Sequence, residues 1–164
     1  MKYRALGNSD IAISEITMGC WAIVGGGTWG PQDESEALEA IRTALDLGIT
    51  TFDTAEGYGS GRSEELLGQG LGDRRKEVVI ATQVSTSHLS GPDVQEACEA
   101  SLQRLGTDYI DLYQIHWPGR DVPFHETMGG LVKLVEQGKI RGIGVSNFGD
   151  EDLGQMLACG SFVS

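Results

Sequence analysis

The chain is short of the features that mark several protein classes. Lys and Arg together number 12 against 24 Asp and Glu, a formal net charge of −12 over 164 residues. A nucleic-acid binder carries a basic stripe that follows the phosphates, and no stretch here supplies one, so no nucleic-acid partner is expected. Only three cysteines occur, Cys20, Cys98 and Cys159. An odd number without CxxC spacing argues against a disulfide framework and for a reducing, cytoplasmic setting. No apolar run approaches the roughly 20 residues of a membrane helix. Asp10 and Glu15 interrupt any apolar stretch after Lys2 and Arg4, so the start does not read as a secretory signal. His88 and His125 lack partners at metal-ligand spacing, and no metal site is expected.

What is present reads as a soluble globular domain. Apolar residues make up 40% and charged residues 22% of a chain long enough for one domain with a core of its own. No linker, low-complexity segment or second domain interrupts residues 1–164.

Strand-like and helix-like patterns alternate, which predicts successive βα units with parallel strands. Residues 3–13, turning at Gly7-Asn8-Ser9-Asp10, predict a small hairpin. Strands are predicted at 16–19, 49–53, 78–82, 110–116 and 140–145. Helices are predicted at 34–47, 63–71, 93–105, 124–136 and 150–158. Asp33 with Glu36 marks the first helix start and Gly48 its end; Ser63 reads as the N-cap of the second helix; Ser90 and Pro92 open the third and Gly106 closes it. Phe162-Val163 would begin a sixth strand. A complete eight-unit barrel needs about 250 residues, and the unit count alone leaves an open sheet as the alternative.

Gly25-Gly26-Gly27-Thr28-Trp29-Gly30 matches the dinucleotide pattern G-x-G-x-x-G, with Asp53 ending the next strand. The match fails on physical grounds. Pro31-Gln32-Asp33 separates the glycines from the helix, and Asp33, Glu34 and Glu36 place negative charge where phosphates would sit. A flexible loop over a pocket is the better reading, with Trp29 serving substrate or packing.

In a parallel βα array the strand C-termini open on one face. Asp53 ends the second strand, Tyr58 follows in a Gly-rich loop, Gln83 lies at the end of the third strand and His116 at the end of the fourth. Each has a structural alternative: a helix-capping Asp, a packing Tyr, a strand-end His satisfied by its neighbours. Four such residues converging on one place point to chemistry.

The runs Phe52-Asp53-Thr54-Ala55-Glu56-Gly57-Tyr58-Gly59 and Arg62-Ser63-Glu64-Glu65-Leu66-Leu67-Gly68, the strand Asp111-Leu112-Tyr113-Gln114-Ile115-His116 and the run Ile143-Gly144-Val145-Ser146-Asn147-Phe148 resemble the aldo-keto reductases, closest in look to bacterial members with short loops. The resemblance implies a (β/α)8 barrel, here partial with about five βα units plus a stub behind an N-terminal hairpin, and an NADPH-dependent reduction of a small carbonyl compound. It implies Tyr58 as proton donor, His116 orienting the carbonyl and Asp53 supporting the site and the cofactor end. Ser146 and Asn147 would bond the nicotinamide carboxamide, where the residue-level alternative is a turn capping the helix near Asp150. Trp21 and Trp117, with Trp29, would line the substrate mouth, where the alternative is apolar plugging.

Two departures accompany the match. Gln83 stands where the family carries a Lys. It can bond both Asp53 and Tyr58 but brings no charge, so a buried Asp53 tends toward protonation and Tyr58 loses electrostatic activation. The expected reductase is therefore an impaired one, with a catalytically inactive scaffold protein as the alternative. The chain also spans little more than half of the family's barrel. Weak NADPH binding by the free chain, and self-association through open barrel edges, are the consequences expected.

Overall fold

The computed structural model describes residues 1–163. A hairpin of β1 (Tyr3–Ala5) and β2 (Ala12–Ser14) precedes five parallel strands: β3 (Thr17–Gly19), β4 (Thr51–Asp53), β5 (Val79–Val84), β6 (Ile110–Ile115) and β7 (Ile140–Val145). The helices are α1 (Glu34–Asp46), α2 (Arg62–Leu71), α3 (Gly91–Leu105), α4 (Phe124–Glu136) and α5 (Asp150–Cys159).

The strands lie in sequence order, β3-β4-β5-β6-β7. Right-handed crossovers between consecutive neighbours put every connecting helix on the same face, and α1 packs on α2, α2 on α3, α3 on α4 and α4 on α5. A doubly wound sheet reverses its order and covers both faces with helices. The sequential order therefore makes this a barrel segment, and topology joins charge in ruling out the dinucleotide-binding reading of the glycine run.

The elements form for local reasons. Asp33 caps α1 by accepting from the Ser35 and Glu36 N–H groups at 2.8 and 3.2 Å, and the helix buries Ala37, Ile41, Ala44 and Leu45. Ser90 caps α3 with Pro92 in the first turn, and Gly106 ends it at φ 65°. Every residue of β5 and β6 is buried, as expected of parallel strands covered on both sides. Fully buried Phe52, Ile80, Ile110 and Ile115 each contribute about 1.5–3 kcal/mol through burial. Gly68 is needed where α2 meets α3: a Cβ there would lie 2.5 Å from the Leu105 carbonyl oxygen.

Two expectations change. Ser63 does not cap α2. The helix starts at Arg62 after Gly61, whose φ of 91° turns the chain. Ser63 thus falls inside the first turn, where its Oγ accepts from Thr54 Oγ1 at 2.8 Å and donates to the Cys20 carbonyl at 2.7 Å. Phe162-Val163 forms no strand, although the Val163 N–H donates to the Ile143 carbonyl of β7 at 2.9 Å. The glycine loop is bridged on itself: Gly26 and Gly30 exchange backbone hydrogen bonds at 3.0 and 2.7 Å.

The hairpin seals the N-terminal end of the sheet. The Ser14 N–H donates to Thr51 Oγ1 at 2.9 Å, and Ser14 Oγ accepts from the Thr50 and Thr51 N–H groups, each at 3.1 Å. Nearby, Asp111 at the start of β6 is 1% exposed. Its oxygens accept from Arg75 Nη2 and Arg141 Nη1, both at 2.8 Å, and from the Ile80 N–H at 3.0 Å. The opposite end of the sheet is open.

Candidate active site

Asp53, Gln83, His116 and Ser146 stand where the strands leave the sheet. Asp53 pairs with Ala81 across β4–β5, and Gln83 pairs with Gln114 across β5–β6. Side chains two apart on a strand share a face, so Gln83 reaches the side chain of Asp53, and Gln114 shares its face with the position of His116. The hydrogen-bond ladder continues past the strand ends. Glu56 N–H donates to the Gln83 carbonyl at 3.2 Å, His116 N–H to Val84 at 3.0 Å and Ser146 N–H to Ile115 at 2.8 Å. The backbone that carries these residues is thereby tied to the sheet.

Asp53 accepts from Gln83 Nε2 at 3.1 and 2.9 Å, one contact per carboxylate oxygen, and from Gln114 Nε2 at 3.5 Å. Both donors are neutral amides, and no Lys or Arg pairs with Asp53 among the described residues. Burial pushes its pKa up, and the two amide hydrogen bonds only partly offset that. Gln83 is 5% exposed and spends its N–H groups on Asp53; its carbonyl, Oε1, is buried without a partner. The expected Gln83–Tyr58 hydrogen bond is therefore not formed. An amide nitrogen held by both carboxylate oxygens leaves only the acceptor end of the side chain uncommitted.

Tyr58 sits in the loop between β4 and α2, held by its N–H on the Ala55 carbonyl at 3.1 Å. Its phenol is shifted up by burial, then by the Asp53 charge and by Cys20. Cys20, buried beside it, is pushed up to about 12, mainly by burial. Burial shifts His116 the other way, below 6.5, against a smaller upward pull from Glu56. Near neutral pH the cleft thus holds a neutral phenol, a neutral thiol and a neutral imidazole.

Five rings line up across the opening. Trp29 meets Trp21 edge-on at 5.5 Å, Trp21 stacks on Tyr58 at 5.9 Å, Tyr58 meets His116 edge-on at 5.5 Å and His116 stacks on Trp117 at 6.5 Å between centroids. The three indoles remain 46%, 52% and 54% exposed for Trp21, Trp29 and Trp117. They are not plugs in the core.

Beyond β7, Asn147 adopts φ 60° and donates from Nδ2 to the His116 carbonyl at 2.8 Å and to Ser146 Oγ at 2.9 Å. The cap position of α5 falls to Gly149 instead, so Ser146-Asn147 forms a turn that ties the β7 end to the β6 end.

Gln114 escaped the sequence reading. The signal was its position two residues before His116, on the same face of the strand. Glu56 escaped too: its Oε1 accepts from the Ser85 N–H at 2.6 Å and lies 2.9 Å from His88 Nδ1, linking the Tyr58 loop to the loop after β5. Among the described residues no cluster of His, Cys, Asp and Glu suits a metal ion, and no helix is long and apolar enough to cross a membrane.

Two surface grooves, of about 700 and 480 Å³, lie around Gly72, Arg75 and Gly106 between the C-terminal ends of α2 and α3. Arg75 there is committed to Asp111 and to the Val78 and Tyr109 carbonyls. That end offers structural pairs, and the strand-end cleft offers the uncommitted polar groups.

Comparison with known proteins agrees with this geometry. Residues 15–161 match the Aldo/keto reductase family. The chain belongs to that family. It is 44% identical over 163 residues to the aldo-keto reductase YhdN of Bacillus subtilis, covering 93% of this chain and 49% of that protein. It is 37% identical over 183 residues to an NADH-specific methylglyoxal reductase of Escherichia coli, covering 98% of this chain and 56% of that protein. Among solved structures, an aldo-keto reductase of Klebsiella pneumoniae in complex with NADPH superposes with a TM-score of 0.83 at 35% identity, covering 98% of this chain and 55% of that one. The chain spans about half the length of the curated relatives it matches. An aldo-keto reductase fold presenting its strand-end residues to one cleft is therefore the frame for the chemistry.

Proposed function

We propose that the cleft serves the NADPH-dependent reduction of a small aldehyde or ketone, in a cytoplasmic setting, with Gln83 holding the rate low. The observation that carries this reading is the meeting of Asp53, Gln83, Tyr58 and His116 at one end of the sheet, with Tyr58 and His116 rings 5.5 Å apart. One end of a nicotinamide nucleotide fits the residues present: Asn147 commits its N–H groups to His116 and Ser146, which leaves its carbonyl to accept from a carboxamide. Ser146 and Asn147 would hold that group. The bound nucleotide would supply hydride. Kinship with a methylglyoxal reductase supports the substrate class; an NADPH-bound relative supports the cofactor, while that methylglyoxal reductase is itself NADH-specific.

The protein's part is to place the carbonyl and to deliver a proton to its oxygen. Tyr58 is the donor. His116, neutral near pH 7, gives a ring N–H to orient the oxygen, and the exposed indoles of Trp21, Trp29 and Trp117 shelter the rest of the molecule. A phenol shifted above 10 is a weak acid, and an amide at position 83 does nothing to strengthen it. The same amide favours a second reading, a relative that binds ligands without turnover.

Titrating the purified chain with NADPH, followed by nicotinamide fluorescence, tests the first reading, with methylglyoxal reduction assayed in parallel. Saturable binding with slow turnover, raised on the order of 10²-fold by Gln83→Lys, is expected. Binding without turnover in both proteins favours the second reading, and no binding by the folded chain rejects the reductase reading for this chain.

A further inference from the structure

We propose that the aromatic-walled cleft over Asp53 prefers an organic cation, a ligand carrying a protonated amine or imine nitrogen, to a neutral carbonyl compound; the inference rests on the cleft being the substrate site.

The first observation is a missing charge. The three buried carboxylates have guanidinium partners: Asp111 has Arg75 and Arg141, Glu64 has Arg104 at 2.6 Å, and Asp152 has Arg120 at 2.6 Å; Glu56, 10% exposed, is held by the Ser85 N–H and His88 instead. Asp53 has two neutral amides. A half-buried carboxylate without a counter-ion is an incomplete ion pair, and a cation from outside completes it.

The second observation is an unpaired acceptor. Gln83 Oε1 is buried and accepts from nothing. A buried carbonyl without a donor carries a standing cost, and an ammonium or iminium N–H beside Asp53 would relieve it.

The third is the wall. Trp21, Trp29 and Trp117 expose much of their ring surface beside Tyr58 and His116, and indole faces attract cations. No cation in the cleft competes with a ligand, and Glu56, whose charge acts on His116, is a second carboxylate near its edge. The titratable groups facing Asp53 are Cys20 and Tyr58, both shifted up and neutral at pH 7, with His116, shifted down and neutral there too, beyond Tyr58. Arg62, at the start of α2, is taken by Glu34 and Glu65. The net charge of −12 further concentrates cations near the protein. A ligand that arrives already protonated also makes no demand on Tyr58 as an acid.

The test needs no cofactor. The protein is titrated with benzylammonium and with benzyl alcohol, its neutral counterpart, at pH 7.5 and low salt, reading tryptophan fluorescence. Benzylammonium should bind saturably and at least about tenfold more tightly than the alcohol. Asp53→Asn and Gln83→Lys, each checked for folding by circular dichroism, should reduce that preference to about onefold, the first by removing the anion and the second by supplying an internal cation. Equal affinity for the two probes, or a preference that survives in both variants, overturns the proposal while leaving the cleft a ligand site. No response to either probe overturns the proposal, and the NADPH titration then judges the reductase reading separately.

Discussion

The two ends of the sheet each hold an Asp in contact with a Gln or Arg from a neighbouring strand or loop, and they are built on opposite electrostatic principles. At the N-terminal end, Asp111 is surrounded by Arg75, Arg141 and the Ile80 N–H, with distances of 2.8–3.0 Å. Its charge is matched and its lone pairs are filled. At the C-terminal end, Asp53 has amides for neighbours and one of those amides keeps an orphan oxygen. A buried polar group left incomplete costs stability. The Tyr113 hydroxyl, buried in the core, is also without a partner, so an orphan polar atom alone does not mark a site; at Asp53 it coincides with a carboxylate that has no cation beside it.

Breaking the satisfied end should have the largest effect. Asp111→Ala strands two guanidiniums and a buried N–H, and urea denaturation should show a loss of about 3–5 kcal/mol. Making the open end resemble the closed one comes next. Gln83→Lys supplies Asp53 with a counter-ion, so the Tyr58 phenol should titrate at lower pH than in the parent when followed by its ultraviolet absorbance. An unchanged phenol would mean that position 83 does not act on Tyr58.

Removing the unmatched charge should matter less. The folded-state pKa of Asp53 lies above its ordinary 3.8, so the folded chain holds that proton more tightly than the unfolded one. The stabilisation is full below 3.8 and is lost as pH rises through the raised value. Asp53→Asn should therefore be at least as stable as the parent at pH 7, by up to about 1 kcal/mol, with the advantage vanishing near pH 3. A stability loss at pH 7 that persists into acid would show that Asp53 is instead a net structural support.

The smallest effect concerns Glu56, which pulls the His116 pKa upward against burial. Glu56→Gln should lower it slightly further, read from imidazole proton shifts, while keeping an acceptor for the Ser85 N–H. A His116 titration that does not move would place Glu56 outside the electrostatics of the cleft.

Much of this contrast was legible before any coordinates. Asp53, Gln83 and His116 were found because strand ends in a βα repeat share one face, and α4 and β7 were bounded correctly by their periodicity. That Gln83 would be an uncharged neighbour of Asp53 came from the family resemblance, in which it stands at the position of a Lys. The misses share a cause. Ser63 looks like an N-cap in one dimension, but the positive φ of Gly61 starts the helix one residue earlier and turns Ser63 into a buried tie between Thr54 and Cys20. The Gln83–Tyr58 bond was chemically reasonable, yet the amide turned its nitrogen to the carboxylate.

The sequence by itself determined the periodicity, and with it the βα repeat, the parallel strands and the residue types gathered at their ends, because hydrophobic spacing and turn chemistry act over a few neighbours. Tertiary structure alone decided which polar groups would be satisfied. Arg75 and Arg141 reach Asp111 from positions 36 and 30 residues away in the chain, whereas Gln83 and Gln114 reach Asp53 from 30 and 61. Whether a buried charge meets a guanidinium or an amide depends on strand register and side-chain reach across the sheet, and local sequence carries neither.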